Sequence, residues 1–478
     1  MVDQFFNETY DFTFVGGHKL SQRIQFRNFA KALKKAMKER TMRKAASKRE
    51  ESQASLSYPE REQAQPKVKF ADWFDAFDTL EEYLESLPSA RKKVVFIDEM
   101  PWIDSLRSNF TEAFENFWNG WAARRKDIMF IASGSATSWM IDNLVENQGG
   151  LHARITCQIY LRPFTLNETE QYLQGRGCLW DRFQIAQCYM FFGGVPFYLS
   201  LLNTKDSLTQ NVDRLCFARG GALRLEFDEL YNALFTNADK YVDIVRLLAE
   251  RRCGMISSEI AKTTSIDGKR LAKMLNNLER CDFIMKFRYY GKNSNDVIYK
   301  LTDFYTLFYI KYIEIFKDSY DEQWWQHHSI SHSVESWQGL TFELLCLMHI
   351  RQIRQALNIG GVATEVSAWF DKSDKGGTRD VDNIVGGHQK AVRGSQIDLI
   401  IERADRIIHL CEMKFSQSEY WITADYEEKL RTRMALFKEK TKNKQTLVHT
   451  FVTTFGVANG KHSSLVHSEV TLDGLFIV

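Results

Sequence analysis

Val94-Val95-Phe96-Ile97-Asp98-Glu99 is an apolar run closed by two adjacent carboxylates. At the end of a buried strand the aspartate of such a pair has a definite chemistry: it holds Mg²⁺ against phosphate oxygens. Asp98 is the candidate for that role, with Glu99 beside it. The next apolar strand, 128–132, ends in Ser133-Gly134-Ser135-Ala136-Thr137, so Ser133 and Ser135 are small polar groups placed to sense a γ-phosphate. Arg154, in Gly149-Gly150-Leu151-His152-Ala153-Arg154, is a cation that could reach the same phosphate from a neighbouring copy, which implies a homo-oligomer. Pro196, in Gly193-Gly194-Val195-Pro196, could touch a nucleotide base or simply break a helix.

A second acidic set lies near the C-terminus. Gln396-Ile397-Asp398-Leu399-Ile400-Ile401-Glu402 reads as a strand, and Arg406 to Lys414 reads as its return across a turn at Asp405. A hairpin of that length sets Asp398 roughly opposite Glu412, and the period of two puts Lys414 on the face of Glu412. Two carboxylates and an amine converging in this way form the D-x(n)-E-x-K core of the PD-(D/E)xK nucleases. Asp398 and Glu412 would chelate Mg²⁺ with help from the Met413 carbonyl, and Lys414 would orient water. Glu343, on an expected helix from Gln338 to Met348, is where such folds place a further acid. A second E-x-K string, Glu427-Glu428-Lys429, falls on a helical stretch and reads as solvated.

Between these sets, residues 239–312 spell three helices and two strands, the winged-helix plan. Leu271, Leu275 and Leu278 line one side of its third helix, leaving Lys269, Arg270 and Lys273 on the other; Lys286, Arg288 and Lys292 decorate the strands. That layout suits a helix in a DNA groove with a wing on phosphates, and equally a protein-docking module with solvated lysines.

The elements that must carry these groups follow from periodicity. Tyr10, Phe12 and Phe14 alternate as a strand; Phe26, Phe29, Leu33 and Met37 recur at helical spacing; Phe70 to Leu87 forms a second amphipathic helix before the Asp98-Glu99 strand. Strand, helix, strand at this spacing predicts a parallel α/β sheet. The expected organisation is an α/β multidomain chain. Residues 1–165 form a P-loop-NTPase-like core with a disordered insert at 41–67, 166–238 a helical lid, 239–312 a winged helix, 313–336 a linker, and 337–478 an α/β PD-(D/E)xK-like domain.

Phe96-Ile97-Asp98-Glu99-Met100-Pro101-Trp102, Ser133-Gly134-Ser135-Ala136-Thr137-Ser138-Trp139 and Gly193-Gly194-Val195-Pro196 together resemble the AAA-type ATPases of archaea and Bacteroides-group bacteria, close to the STAND class. The resemblance implies ATP and Mg²⁺ as cofactors, a C-terminal winged helix and a nuclease-like domain. Asp98 is then the Walker B metal ligand, Glu99 the water-polarising residue, Ser133 or Ser135 the sensor and Arg154 the finger. The chain departs from the family in one respect. It contains no G-x-x-x-x-G-K-[ST] loop, and starts after the point where the family's first strand and P-loop would lie. Gly17-His18-Lys19 lacks the glycine spacing, and Gly456 to Lys461 has one residue too few and His462 in place of Ser or Thr. The expectation is that ATP binds weakly or not at all, and that the absent strand leaves edges and apolar faces exposed.

Bulk properties exclude some classes. A net charge of +2 means that any nucleic-acid footprint is local. The eight cysteines form no C-x-x-C pair and read as reduced thiols. The absence of a long apolar run argues against a membrane partner and for a cytoplasmic protein. The leading function is an AAA-family ATPase-like protein coupled to a metal-dependent DNA nuclease. The alternatives are a non-catalytic DNA- or protein-binding factor on degraded enzyme folds, and a truncated fragment of a mobile or defence locus.

Overall fold

The computed structural model describes residues 2–51, 69–88, 91–105, 107–135, 137–145, 150–151, 154–251, 253–291, 297–319, 321–371 and 395–478. These fall into two compact units, Met1–Tyr160 and Leu161–Val478.

The first unit is built on a three-stranded parallel sheet in the order β1 (Phe12–Val15), β2 (Lys93–Asp98), β3 (Ile128–Ala132). Central β2 is apolar throughout its middle, and Val95, Phe96 and Ile97 are buried. Helices Gln22–Glu51, Trp73–Glu85 and Phe110–Gly120 supply an aromatic core in which Phe29, Trp73, Phe77, Phe110 and Phe117 meet edge-on or stacked. Register is fixed at the strand starts by charge. Asp11 accepts the Val94 N–H at 2.9 Å and pairs with Arg91 at 2.6 Å. Lys93, only 1% exposed, pairs with Asp127 at 2.9 Å. Arg125 and Lys93 together hold the Asp127 carboxyl well below its ordinary range. A buried lysine requires such a partner. The opposite trend shows at the rim: Val15 is 57% exposed and Met129 on edge strand β3 is 41% exposed, unusual for a parallel sheet, whose faces are normally covered.

One expectation fails here. The polar stretch from Thr41 is not a loop at its start, because the helix continues to Glu51. Its Lys, Arg, Ala and Glu residues are strong helix formers and need no apolar stripe to extend a helix already begun. The remainder of the expected insert, 52–67, lies outside the described residues.

The second unit joins what the sequence divides into lid, winged helix, linker and C-terminal domain. One apolar core runs from Leu166 to Phe476. The expected linker is part of it. Helices Trp324–His328 and His332–Met348 occupy much of 313–336, Trp324 and Trp325 are buried, and the Asp213 carboxylate accepts the Trp325 and Gln326 N–H groups at 2.7 and 3.1 Å. Residues 238–301 form helices Ala238–Ala249, Ser257–Thr264 and Gly268–Arg280 with a small antiparallel sheet of β4 (Met255–Ile256), β5 (Ile284–Arg288) and β6 (Val297–Leu301), ordered β4-β6-β5. The Gly268–Arg280 helix buries Leu271, Leu275 and Leu278, and Asp267 caps it by accepting the Lys269 and Arg270 N–H groups. Such a cap satisfies donors that the first turn cannot.

A five-stranded sheet completes the unit: β7 (Thr364–Phe370), β8 (Gln396–Arg403), β9 (Ile407–Lys414), β10 (Thr446–Thr453) and β11 (Val466–Thr471), in the order β11-β10-β9-β8-β7. β7, β8 and β9 are antiparallel neighbours, whereas β9, β10 and β11 are parallel. Helix Ala424–Thr441 makes the β9–β10 crossover and packs Phe437 on Ile400, Ile408 and Leu410. The buried residues of His332–Met348 instead share a core with Leu399, Cys411 and Met413. The strand stretch β7 was not anticipated from the sequence.

Candidate functional site

In the first unit, the turn after β2 is held between two glycines. A Cβ on Gly16 would sit 2.2 Å from the Glu99 carbonyl oxygen, and one on Gly134 would sit 2.4 Å from Pro101 Cδ. Glu99 itself adopts a left-handed backbone, φ 50°, a costly conformation for a non-glycine residue that surrounding structure must enforce. The result is that β2 and the end of β3 share polar groups. Asp98 Oδ1 accepts the Glu99 N–H at 3.0 Å and the Ser133 hydroxyl at 2.5 Å. Glu99 Oε2 accepts the Ser135 hydroxyl at 2.9 Å and its N–H at 3.2 Å. Four of the sequence candidates are thus together at the C-terminal edge of a parallel sheet, where open α/β sheets bind ligands. A carboxylate with an adjacent hydroxyl is suitable chemistry for Mg²⁺. Arg154 is exposed outside any helix or strand. Pro196 lies in the second unit, as the first residue of helix Pro196–Ser200. Its neighbour Gly194 has a packing duty: it accepts the Phe164 N–H at 2.7 Å, and a Cβ there would sit 1.9 Å from the Phe164 carbonyl oxygen.

In the second unit, the β8–β9 ladder runs from Glu402↔Ile408 to Leu399↔Cys411. Lys414 Nζ lies 3.9 Å from Glu412 Oε2 and over the Tyr426 ring. Glu412 is buried, and its carboxylate is fully engaged: it accepts the Tyr426 hydroxyl at 2.6 Å and pairs with Arg433, both from the Ala424–Thr441 helix. Burial, and then the Glu412 charge, push the Tyr426 hydroxyl far above its ordinary range, so it remains a donor.

Asp398 lies one position beyond Leu399↔Cys411, the last described pair of the β8–β9 ladder, and the register continued by one pair sets it opposite Glu412. The β7–β8 register shifts between Ser367 and Trp369, and Ile397 and Ile400, which would alternate in a regular strand, pack in one cluster. A bulge re-aims the side chains beside it. Asp398 accepts Gln396 Nε2 at 2.5 Å and faces Lys300 Nζ at 4.0 Å. Glu343 is half-buried on the His332–Met348 helix, whose core partners include Cys411 and Met413. Among the described residues no three His, Cys, Asp or Glu side chains gather as a metal cage. The donors are of the right kind for a hard divalent ion, while Asp398 and Glu412 each face a cation of the protein.

Sequence reasoning missed these holding groups: Lys300, Gln396, Tyr426 and Arg433. It also missed His449, 5% exposed on β10, with both ring nitrogens lacking a hydrogen-bond partner among the described residues. Burial lowers its pKa, and the Glu412 charge opposes that shift. Gln396 stands two positions before Asp398 on β8, but no spacing rule ties the others to Asp398 and Glu412, because they arrive from β6, the crossover helix and β10.

Lys269, Arg270 and Lys273 are exposed and have no ion-pair partner among the described residues; with Thr236, Asn237 and Tyr241 they line a cavity of about 390 Å³. Lys286 differs, since it is paired with Glu279. Arg288 is exposed, and Lys292 lies outside the described residues.

No protein-family model matches the chain, and no curated protein is significantly similar to it. The structure is similar to the Walker-type ATPase of Pyrococcus abyssi, with 16% identity and a TM-score of 0.42 over 65% of this chain and 86% of that one. No described helix is long and apolar enough to cross a membrane.

Proposed function

We propose that the chain is a DNA-directed, metal-dependent phosphodiester hydrolase: an ATPase-like sheet in the first unit, and in the second a winged-helix element beside a PD-(D/E)xK-like domain. The observation that carries this reading is the Glu412–Lys414 pair at the end of the β8–β9 hairpin, in a sheet whose antiparallel β7-β8-β9 run is followed by a helical crossover to parallel β10. Asp398, Glu412 and the Met413 carbonyl would hold the ion. When bound, it would supply Lewis-acid stabilisation of charge on the scissile phosphate. Lys414, fixed over Tyr426, would orient a water and steady that charge; Lys269, Arg270 and Lys273 of the Gly268–Arg280 helix would hold the duplex.

The test is nicking of supercoiled plasmid in Mn²⁺ or Mg²⁺. Wild-type chain should nick; Lys414→Met and Asp398→Asn should not. Nicking that persists in Asp398→Asn rejects the assignment. ATP is not part of the activity proposed, because nothing in the sequence can wrap a β-phosphate as a P-loop does. Calorimetry should detect no micromolar ATP binding.

A second reading, a DNA-binding factor without catalysis, is favoured by one specific observation: Glu412 is saturated by Tyr426 and Arg433. Salt-dependent DNA binding without cleavage in any divalent ion would decide for it.

A further inference from the structure

Lys300 is the least expected residue in the second unit. It belongs to β6 of the small winged sheet, yet it is 7% exposed, and among the described residues its one ion-pair partner is Asp398 on β8, at 4.0 Å. Burying an ammonium group costs several kcal/mol unless charge and hydrogen bonding compensate, and a 4.0 Å pair with a half-buried carboxylate is weak compensation. The contact is nevertheless carefully supported. Gly254 has φ 73°, and a Cβ there would sit 2.8 Å from Lys300 Cγ and 2.6 Å from the Tyr299 carbonyl oxygen. The adjacent Cys253 Sγ donates to Gln396 Oε1 at 2.8 Å, and Gln396 Nε2 donates in turn to Asp398. Tyr290 N–H donates to the Ala368 carbonyl of β7 at 2.8 Å, and Tyr290 Oη accepts Asn443 Nδ2 at 2.6 Å. The winged element therefore grips the β7–β8 edge at three places, and one of them is Asp398.

We propose that Lys300 is an internal counter-ion that takes the place of a divalent cation at Asp398, so that loading of metal requires the winged element to loosen its hold on β8. Arg433 plays the matching part at Glu412 from the crossover helix. DNA held by the Gly268–Arg280 helix engages the same element that carries Lys300. By linkage, DNA that favours the loosened arrangement raises metal affinity, and metal raises DNA affinity by the same factor. This inference rests on the hydrolase reading and gives the regulation of its site.

The experiment is Mn²⁺ binding to the full chain, followed by electron paramagnetic resonance, with and without a short DNA duplex. Lys300→Met keeps the buried stem and removes the charge. It should bind Mn²⁺ about ten-fold more tightly than wild type, the scale of removing one nearby like charge, and should no longer gain affinity from DNA. Wild type and Lys300→Met binding Mn²⁺ equally would overturn the counter-ion while leaving the hydrolase reading standing. Neither protein binding millimolar Mn²⁺ would overturn both. Should the variant fail to fold, acylation of Lys300 in the wild-type chain decides: it should be slow without Mn²⁺ and faster with it, and an unchanged rate would overturn the proposal.

Discussion

His349 makes the second unit sensitive to acid, and its geometry sets the size of the effect. The ring is buried; Nε2 accepts the Leu166 N–H at 3.0 Å, and Nδ1 donates to the Leu345 carbonyl at 2.9 Å. Both nitrogens are therefore used in the neutral form, and a proton on Nε2 would face a donor. Burial lowers the pKa from 6.5 to about 4, against the Leu345 hydrogen bond, which raises it. The unfolded chain takes up its proton first, near pH 6.5, so the neutral ring's contribution is complete above that value. It is lost progressively as pH falls, until the folded form also protonates near pH 4. Between pH 7 and pH 5 this one group should cost about 2 kcal/mol of folding free energy. His409, held down to about 4 chiefly by burial and then by the Arg403 charge, acts in the same window and direction. The assay is urea unfolding at pH 7 and pH 5, followed by tryptophan fluorescence. His349→Gln can keep an acceptor for Leu166 and a donor for Leu345 without titrating. It should remove about 2 kcal/mol of the wild-type loss. A variant that loses as much between the two pH values as wild type would refute the reasoning.

Other outcomes follow from the same geometry. Replacing Lys269, Arg270 and Lys273 by Ala should weaken DNA binding on any sequence and lower the salt slope by about 2 to 3, if each neutralises one phosphate. Lys286→Ala, whose charge is paired with Glu279, should change the slope little. Gly194→Ala should destabilise the second unit by about 3 kcal/mol in chemical denaturation, because its Cβ would overlap the Phe164 backbone. Equal stability would show that the Phe164 segment yields freely.

The parts legible in the sequence were those written in a single period. Val94 to Asp98, the leucine side of the Gly268–Arg280 helix and the β8–β9 pair are strongly patterned, and their partners lie close in sequence. Ser133 and Ser135 reach Asp98 and Glu99 because neighbouring parallel strands end together. The misses have separate causes. Residues 42–51 carry propensity without pattern, and the helix took the propensity. Trp324 and Trp325 looked like a linker because their partners, Phe217 and Phe191, lie far upstream. β7 mixes polar and apolar residues over seven positions and gains definition only from pairing with β8. The register shift between β7 and β8 beside Asp398 is a feature that sequence periodicity does not register. Lys300 and Arg433 were invisible as site residues because nothing local distinguishes a lysine or arginine that crosses to another element.

The central claim concerns where a divalent ion goes. Crystals of the chain soaked in Mn²⁺ and measured at the manganese absorption edge would answer it. The account predicts an anomalous peak coordinated by Asp398 and Glu412, with Lys300 and Arg433 turned away from them. A map without manganese there, and with both carboxylates still on their lysine and arginine, would contradict it.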